Sequence, residues 1–481
     1  MINLVKNELI KIFHKKGIWI LVMLILFFWI LSFTLDSLSI GSQTEEEYLK
    51  QSYEIYKNTL NDYNLEDKSQ AALYAEHLAQ TETYALLIEY SDFESPEYYF
   101  INNDINGVLN DMYYAKYVTK TENEYQVIKK EYDEMVKKLE NFDWKKDLEN
   151  EKKEYLNDIK ELEEEKKLSN SVEIDNQIEI FNIKVKAIDY RLDNEIPVSY
   201  RDSSYLVDDY ETSAIAYITM NKDESKYTSQ ADLIEKRETE EKYKVAEYKL
   251  ENKKVNDRRN MLIDGLVTIF TYEDTVILLG LLIICGGIIA DEFSKGTIKQ
   301  LLVKPFSRNK ILLSKMIASL IAFALFMLFY YSINFLSYLI QFNDFKALFD
   351  TVVDYNFNTH QVFEMNLLGY CFINFLAVLP KYLILFEFVM FMGVLTTNTV
   401  GAIASGFGLY FLADFIGFYI SDKMAALLPM YCWDFSSYLF GGIGGNPYST
   451  LGKSIVVCLV TFVVLVVAAF VIFKKKDIKN Q

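Results

Sequence analysis

The chain of 481 residues is poor in the residues that build metal sites and disulfide frameworks. It contains four cysteines, three histidines and six prolines. Three of the cysteines lie within apolar runs, and the spacing of the four matches neither a zinc site nor a disulfide framework. We therefore expect the thiols to pack as small apolar side chains, and we expect no bound metal. The cysteines are Cys285, Cys371, Cys432 and Cys458.

Motifs for nucleotide binding and for hydrolysis are also missing. Gly452-Lys453-Ser454 ends a segment that begins at Pro447, but this segment lacks the first glycine of a phosphate-binding loop. The sequence has no His-Glu-x-x-His, Gly-x-Ser-x-Gly or paired-aspartate motif. We predict a protein that is not an enzyme, with no catalytic residues and no cofactor bound by this chain.

The negative charge of the chain is concentrated in one segment. Residues 41–260 hold 51 acidic and 31 basic residues, whereas the whole chain has a net charge of −18. The rest of the chain is slightly basic and contains long runs without a charged residue. This division predicts a membrane protein that carries one large, acidic, polar insertion.

Six apolar runs are long enough to cross a bilayer as helices. The first could instead belong to a signal peptide, but it exceeds the roughly 7–15 apolar residues usual there. The sequence therefore predicts an all-α polytopic membrane protein with six transmembrane helices. The runs cover about residues 18–35, 262–290, 311–341, 366–396, 400–420 and 454–473.

Basic residues decide the predicted orientation. Six lysines and arginines lie within residues 291–315 against two acidic residues, and several lysines follow the last apolar run. By the positive-inside rule, these segments face the cytoplasm. Both termini are then cytoplasmic, residues 41–260 are extracellular, and the protein is predicted to lie in the plasma membrane. The predicted parts are an interfacial helix (1–17), transmembrane helix 1 (18–40), the extracellular domain (41–260), transmembrane helix 2 (261–290), a cytoplasmic coupling segment (291–310) and transmembrane helices 3–6 with a basic tail (311–481).

The insertion is predicted to be a helical stalk with coiled-coil character. Two series of apolar residues, from Tyr125 to Phe142 and from Ile174 to Leu192, alternate steps of three and four residues. The charged stretch from Glu163 to Ser171 lies between them, so we predict that the two series pair as an antiparallel helical hairpin. The many tyrosines of the insertion either pack between helices or form an aromatic surface for a peptide or lipid.

Three ionisable residues, Lys381, Glu387 and Asp414, fall within or near the predicted membrane helices. A charge is costly there and is commonly functional, so these residues are predicted to line a translocation pathway between two subunits. In the alternative interpretation, Lys381 extends to the surface, Asp414 lies near the outer surface and Glu387 pairs with a donor elsewhere in the fold.

The basic segment after the second apolar run carries a recognisable pattern. An acidic start is followed at fixed offsets by a Gly-Thr step and by a Pro-x-Ser-Arg step. The segment resembles the stretch after the second membrane helix in permease subunits of ABC-2 type transporters. The residues of this pattern are Glu292, Lys295, Gly296, Thr297, Leu301, Leu302, Pro305, Ser307, Arg308, Ser314 and Lys315.

The resemblance implies an exporter subunit for peptides, lipids or other amphiphiles, or one that confers resistance to antimicrobial peptides. Two separate ATPase subunits, holding ATP and magnesium, would dock on the segment through Glu292, Lys295, Gly296, Thr297, Pro305, Ser307, Arg308 and Lys310. A second permease copy or a related permease would complete the pathway within membrane lipid, and no nucleic acid is involved. Residues 421–452 would form re-entrant outer helices. The acidic insertion, which the smaller members of the family lack, suggests a cationic peptide ligand.

The alternative hypothesis is a membrane-anchored surface protein that does not transport. Phage-infection-type proteins and accessory proteins of type VII secretion have the same plan of one helix, a long coiled outer segment and further membrane helices. In such a protein the outer domain binds partners, and no ATPase is needed.

Overall fold

The computed structural model describes most of the chain. The described residues are 1–40, 45–90, 92–168, 171–200, 202–221, 229–254, 258–271, 275–294, 296–297, 306–343, 345–417 and 419–476.

The described residues are predominantly helical, as predicted. Short π-helical turns at Ile101–Ile105 and Ala115–Thr119 flank α6, and the described residues contain four 3₁₀ turns elsewhere. In chain order the α-helices are α1 (Ile2–Phe13), α2 (Lys16–Ile40), α3 (Glu45–Thr59), α4 (Lys68–Glu89), α5 (Pro96–Phe100), α6 (Asn106–Tyr114), α7 (Glu122–Leu139), α8 (Trp144–Leu168), α9 (Val172–Asn194), α10 (Asp202–Asn221), α11 (Gln230–Glu251), α12 (Arg258–Thr271), α13 (Thr275–Gly286), α14 (Ala290–Ser294), α15 (Arg308–Phe342), α16 (Leu367–Thr396), α17 (Thr399–Gly417), α18 (Asp422–Ala425) and α19 (Leu451–Lys475).

The chain forms two compact units. Unit 1 comprises Met1–Phe33, Lys226–Glu241 and Arg258–Gln481, and unit 2 comprises Thr34–Ser225 and Lys242–Asp257. Unit 2 takes up most of the predicted insertion, but the first half of α11 belongs to unit 1.

Several helices of unit 1 could span a membrane. Within the described residues, four stretches are long and apolar enough by themselves: Thr275–Ser294, Arg308–Gln341, Leu367–Thr396 and Leu451–Lys475. A fifth arises if α1 and the first part of α2, which meet at an angle of 58°, are counted as one span. The fifth predicted run, at about residues 400–420, is present as a shorter apolar helix at Thr399–Phe411.

The second predicted membrane helix is divided between two helices. The sequence predicts one helix over residues 262–290, whereas α12 ends at Thr271 and α13 begins at Thr275. Residues 272–274, between these two helices in the sequence, lie outside the described residues. The two helices enter different clusters: Leu262 and Leu266 of α12 pack with Leu339, while the buried face of α13 joins the main core of unit 1.

Small residues let α13 approach its neighbours closely. A Cβ added at Gly280 would overlap the ring of Phe326 on α15, and a Cβ added at Gly406 of α17 would overlap Leu282 of α13. Close backbone approach at small residues is typical of packed membrane helices. These two glycines therefore fix α13 between α15 and α17.

The first helix lies against the long helix α15. Ile12 is fully buried and Leu9 packs against the same core, as expected for an amphipathic helix, while Ile2 is 83% exposed. Glu8, however, is buried among these apolar side chains. The apolar face of α1 thus contains one carboxylate that an interfacial helix would have kept in water.

An antiparallel β-hairpin interrupts the otherwise helical unit 1, which the all-α prediction missed. Strand β1 (Thr351–Asn356) pairs with β2 (Gln361–Asn366), so that Val353 faces Glu364. Apolar and polar residues alternate over the last four positions of both short strands, which is typical of such a hairpin. The hairpin lies between α15 and α16, the third and fourth predicted membrane helices.

The two heptad-like series of unit 2 do not pair with each other, and that prediction was wrong. The series on α7 packs with α4 and α6, where Tyr132 and Met135 join a cluster around Leu109 and Met112. Helix α9 instead pairs with α8. Ion pairs Lys166–Asp175 and Lys152–Asp189 run in opposite directions along α8 and α9, so this hairpin is antiparallel.

The intervening charged helix explains the error. Helix α8 carries mostly Glu and Lys, and only Leu148 and Ile159 of it are buried. Because α8 has few apolar residues, its sequence pattern did not identify it as the helix that pairs with α9. In the predicted bend, Glu163–Leu168 belong to α8 and Ser171 is the N-cap of α9, while residues 169 and 170 lie outside the described residues.

We predict that Gly280→Ala destabilises unit 1 by about 1–3 kcal/mol, because the new methyl group must displace the packed Phe326 ring. Gly452→Ala is the matched control, since a Cβ at Gly452 meets open space. It should change stability by less than about 0.5 kcal/mol. Thermal unfolding of the detergent-solubilised protein measures both. Equal stability of the two variants would contradict the close approach of α13 and α15.

Candidate functional site

Four charged side chains, three of them buried, form a cluster in unit 1. The buried side chains Glu8, Glu292 and Lys315, together with Lys11, whose side chain is 49% exposed, make up this buried charge cluster. Lys315 Nζ lies 2.8 Å from Glu8 Oε2 and 3.2 Å from Glu292 Oε1, and also donates to the Ile288 carbonyl oxygen at 3.3 Å. Lys11 Nζ lies 2.8 Å from the same Glu292 oxygen and 3.3 Å from Glu8 Oε1. The negative charges of the two carboxylates and the positive charges of the two ammonium groups therefore sum to zero.

Three separate segments supply the buried charge cluster. Glu8 and Lys11 are on α1, Glu292 is on α14, and Lys315 is two turns into α15. Lys315 is fully buried, so it is a charge that the fold has taken out of water. Removing one partner from such a group leaves an uncompensated charge, which is strongly destabilising. The cluster therefore holds α1, α14 and α15 in one arrangement.

A second set of contacts connects α14 to other helices. Asp291 accepts a hydrogen bond from the Thr399 hydroxyl at 2.6 Å, and its carboxylate lies 3.2 Å from Lys15 Nζ. Thr297 donates its hydroxyl to the Glu292 carboxylate. Helix α14 is therefore bound by side chains to the α1–α2 junction and to α17.

The start of α15 is joined to the end of α19. Arg308 Nη1 donates to the carbonyl oxygens of Lys474 and Lys476, at 3.0 Å in both cases. Lys476 Nζ in turn donates to the carbonyls of Val394 and Leu395, at 2.6 and 2.8 Å. Partial burial lowers the pKa of Lys476 from its usual value. Carbonyls at the ends of α16 and α19 thus find donors.

The structure gives some of the predicted coupling residues internal contacts. Glu292 is 9% exposed and belongs to the buried charge cluster. Arg308 donates hydrogen bonds to carbonyl oxygens at the end of α19. These contacts assign Glu292 and Arg308 to holding the segment in place. Thr297 serves the same purpose through its bond to Glu292.

Other predicted coupling residues are accessible. Gly296 is exposed with a φ of +69°, a left-handed conformation that favours glycine. Ser307 accepts a hydrogen bond from the Lys310 amide and begins α15 as its N-cap. Lys310 is exposed on the first turn, and Phe306 beside it is 40% exposed. Lys295 and Pro305 lie outside the described residues.

Sequence reasoning did not find Glu8 and Lys11 as members of the site, and it placed Lys315 in the link without a role. One signal was available. Glu8 stands between apolar residues on the face of α1 that the helical period assigns to the interior. A lone acidic residue on an apolar face predicts a buried basic partner.

The ionisable residues of the membrane helices lie in different surroundings. Lys381 of α16 is 4% exposed, and its Nζ lies 5.0 Å from the centre of the Tyr410 ring, a cation–π distance. Glu387 is fully buried, and its carboxyl oxygens have no hydrogen-bond partner among the described residues. The two residues are not joined to each other. Asp414 lies in α17, but its side chain is outside the described part.

An apolar cavity of 850 Å³ lies between α15 and α16. Its walls are aliphatic and aromatic side chains, including Phe323, Met327, Tyr331, Phe375 and Leu379. A cavity with such walls accommodates hydrocarbon groups.

Within the described ranges, no group of three or more His, Cys, Asp or Glu residues could hold a metal ion.

We predict that Lys315→Met destabilises the protein by about 3–5 kcal/mol, because Glu8 and Glu292 then share only Lys11 in a buried site. Lys310→Met, which removes an exposed lysine from the same helix, should cost less than about 0.5 kcal/mol. Chemical unfolding in detergent measures both variants. Adding Glu8→Gln to Lys315→Met should cost less than the sum of the single changes, and strict additivity would exclude the buried pair.

Comparison with known proteins places the second half of the chain in a family. A family model described as "Protein of unknown function (DUF2705)" matches residues 229–479. The uncharacterized protein YhcI of Bacillus subtilis (strain 168) is 28% identical over 247 residues, which covers 47% of this chain and 75% of the relative. No solved structure is significantly similar. Because the family model matches more than half of the chain, the protein belongs to the DUF2705 family.

Proposed function

We propose that the chain is the permease subunit of an ABC-2 type ATP-driven exporter of the plasma membrane. The observation that carries the proposal is the buried charge cluster, which joins the segment after α13 to α1 and α15. In an ATP-driven permease, a short cytoplasmic segment must pass force from a separate ATPase to the membrane helices. A segment held by ion pairs to two helices can transmit such a displacement.

The proposed route of force begins at the exposed residues. Gly296, Phe306, Ser307 and Lys310 would contact the ATPase, while Glu292 and Arg308 would convey movement inward through their internal bonds. Displacement of α14 would move α1 through Lys11 and α15 through Lys315. Packed helices shift between discrete arrangements rather than deforming continuously, so ATP-driven closure would switch access to the pathway.

Two features support an amphiphilic cargo. The apolar cavity between α15 and α16 suits hydrocarbon groups, and Glu387 places a single carboxyl in the same helical core. A lipid or an amphipathic peptide combines apolar and polar groups in this way.

In the proposed topology of six crossings, both termini are cytoplasmic and residues 41–260 are extracellular. A second permease copy would complete the pathway.

We expect an ATPase subunit to co-purify with the tagged protein from its native membranes, and Lys310→Glu to reduce its yield by about tenfold, because a reversed charge is unfavourable at a complementary interface. Lys423→Glu is the matched control. Lys423 is equally basic and exposed but lies on α18. ATP hydrolysis and mass spectrometry of the purified complex measure the yield.

The outcomes separate the two functional hypotheses. Loss of the ATPase with Lys310→Glu alone supports docking at the start of α15. If no ATPase accompanies the wild-type protein while unit 2 retains a protein partner, the non-transporting surface protein is favoured instead.

The proposed orientation predicts a labelling pattern in intact cells. The four native cysteines are buried, so we expect them to contribute little to the maleimide labelling of an introduced surface thiol. Lys160→Cys, on the exposed surface of α8, should react with a membrane-impermeant maleimide. Lys310→Cys should react only after permeabilisation. Labelling of Lys310→Cys in sealed cells would reverse the orientation and exclude a cytoplasmic ATPase at this segment.

A further inference from the structure

Unit 2 contains a cavity whose walls combine carboxylates with aromatic rings. It has a volume of 490 Å³, which is the size of a small-ligand site. Helices α5 and α7 to α10 supply most of the walls, together with the π-helical turn Ile101–Ile105 and residues of two connecting segments. Five acidic and three basic side chains line the cavity, so its lining is negative. They are Asp104, Asp147, Glu151, Asp208, Glu211, Lys138, Lys184 and Arg191.

Part of this charge is neutralised within the cavity. Arg191 Nη2 lies 2.5 Å from Asp208 Oδ1, and Lys138 Nζ lies 2.8 Å from Asp147 Oδ2. Glu151 and Lys184 both contact the Tyr155 hydroxyl. Asp104 and Glu211 differ from these residues. Neither carboxylate makes a hydrogen bond or an ion pair with another described residue.

The two unpaired carboxylates differ in exposure, since Asp104 is exposed and Glu211 is half-buried. Desolvation by the surrounding protein nevertheless raises the pKa of both carboxyls above their usual values, although basic neighbours oppose the shift. Ionising a carboxyl in such a position costs free energy. A cation placed beside these carboxylates would recover that cost.

The aromatic walls already receive ammonium groups from the chain itself. Lys138 Nζ lies 5.1 Å from the centre of the Phe100 ring, and Lys184 Nζ lies 4.9 Å from that of Tyr155. Phe142 stacks on Phe100 at 4.9 Å, which extends the aromatic surface. Rings of this kind attract cations and also pack against apolar groups. The walls therefore suit a ligand with both properties.

A π-helical turn brings Asp104 to the cavity. Residues Ile101–Ile105 form this turn between α5 and α6, and Ile101 and Ile105 are fully buried in the core of unit 2. Such π-turns are rare and frequently occur at functional sites. Because Ile101 and Ile105 anchor the turn on both sides, Asp104 is held in place between them.

We propose that this cavity binds an organic cation with two positive charges joined by apolar atoms, such as a dibasic segment of a peptide. Asp104 and Glu211 receive the two cationic groups, and the Phe100, Phe142 and Tyr155 rings contact the apolar part. The inference concerns unit 2 alone and does not depend on ATP-driven transport. It gives the acidic insertion a specific site instead of a general surface charge.

Calorimetry on the purified full-length protein tests the site with the acetylated tripeptide amide Lys-Phe-Lys as the probe. We expect saturable binding that weakens by about tenfold or more in the Asp104→Asn/Glu211→Gln variant, because it loses two charge-assisted contacts. Glu163→Gln/Glu164→Gln is the matched control. It removes the same charge from the exposed surface of α8 and should bind as the wild type does. Unfolding temperatures verify that both variants fold.

A fluorescence measurement locates the bound probe. Trp144 lines the cavity and is the single tryptophan between Trp29 and Trp433. Lys-Phe-Lys should change the tryptophan emission of the wild type, and this change should be lost in Trp144→Phe.

Three results would overturn the proposal. The first is the absence of saturable binding at millimolar peptide. The second is equal weakening in both charge variants, which would indicate attraction to the whole acidic surface. The third is an equally strong change in Trp144 emission on adding Ca²⁺. Such a change would mean that the cavity responds to positive charge alone and that the aromatic rings have no role in binding.

Discussion

The arrangement of unit 1 depends on the neutralisation of Lys315. A fully buried ammonium group is tolerated only beside carboxylates and carbonyl oxygens that replace its hydration. Glu8, Glu292 and the Ile288 carbonyl provide them. Because these groups come from different segments, their positions are coupled. The N-terminal helix, the end of the second apolar run and the start of α15 must therefore move together or lose the cluster.

The same constraint separates two kinds of residues in the segment after α13. Buried polar residues such as Glu292 and Thr297 maintain its geometry, while exposed ones such as Lys310 are available to a partner. A residue that belongs to a linear motif need not contact a partner directly. Among the described residues of this motif, Glu292, Thr297 and Arg308 make internal contacts, whereas Gly296 and Lys310 are exposed.

Unit 2 uses charge in another way. Its helices are polar over most of their surface, and its clusters are built from tyrosines, alanines and a few aliphatic residues. Tyrosine supplies apolar area and keeps its hydroxyl hydrogen-bonded, as Tyr113 does with Glu82. Such packing leaves polar cavities between helices. The cavity around Asp104 and Glu211 is one of them, and its aromatic walls distinguish it from a merely acidic surface.

The sequence by itself determined the helical class, the apolar helices of residues 275–476 and the acidic insertion, because each of these follows from local composition and period. It identified Lys381 and Glu387 as unusual, since a charge in an apolar run is visible without a structure. Only the tertiary structure decided the partners: Glu8 with Lys315, α9 with α8, and Gly280 with Phe326. Pairing depends on contacts between residues up to 307 positions apart, and the period of one helix carries no information about which other helix covers it.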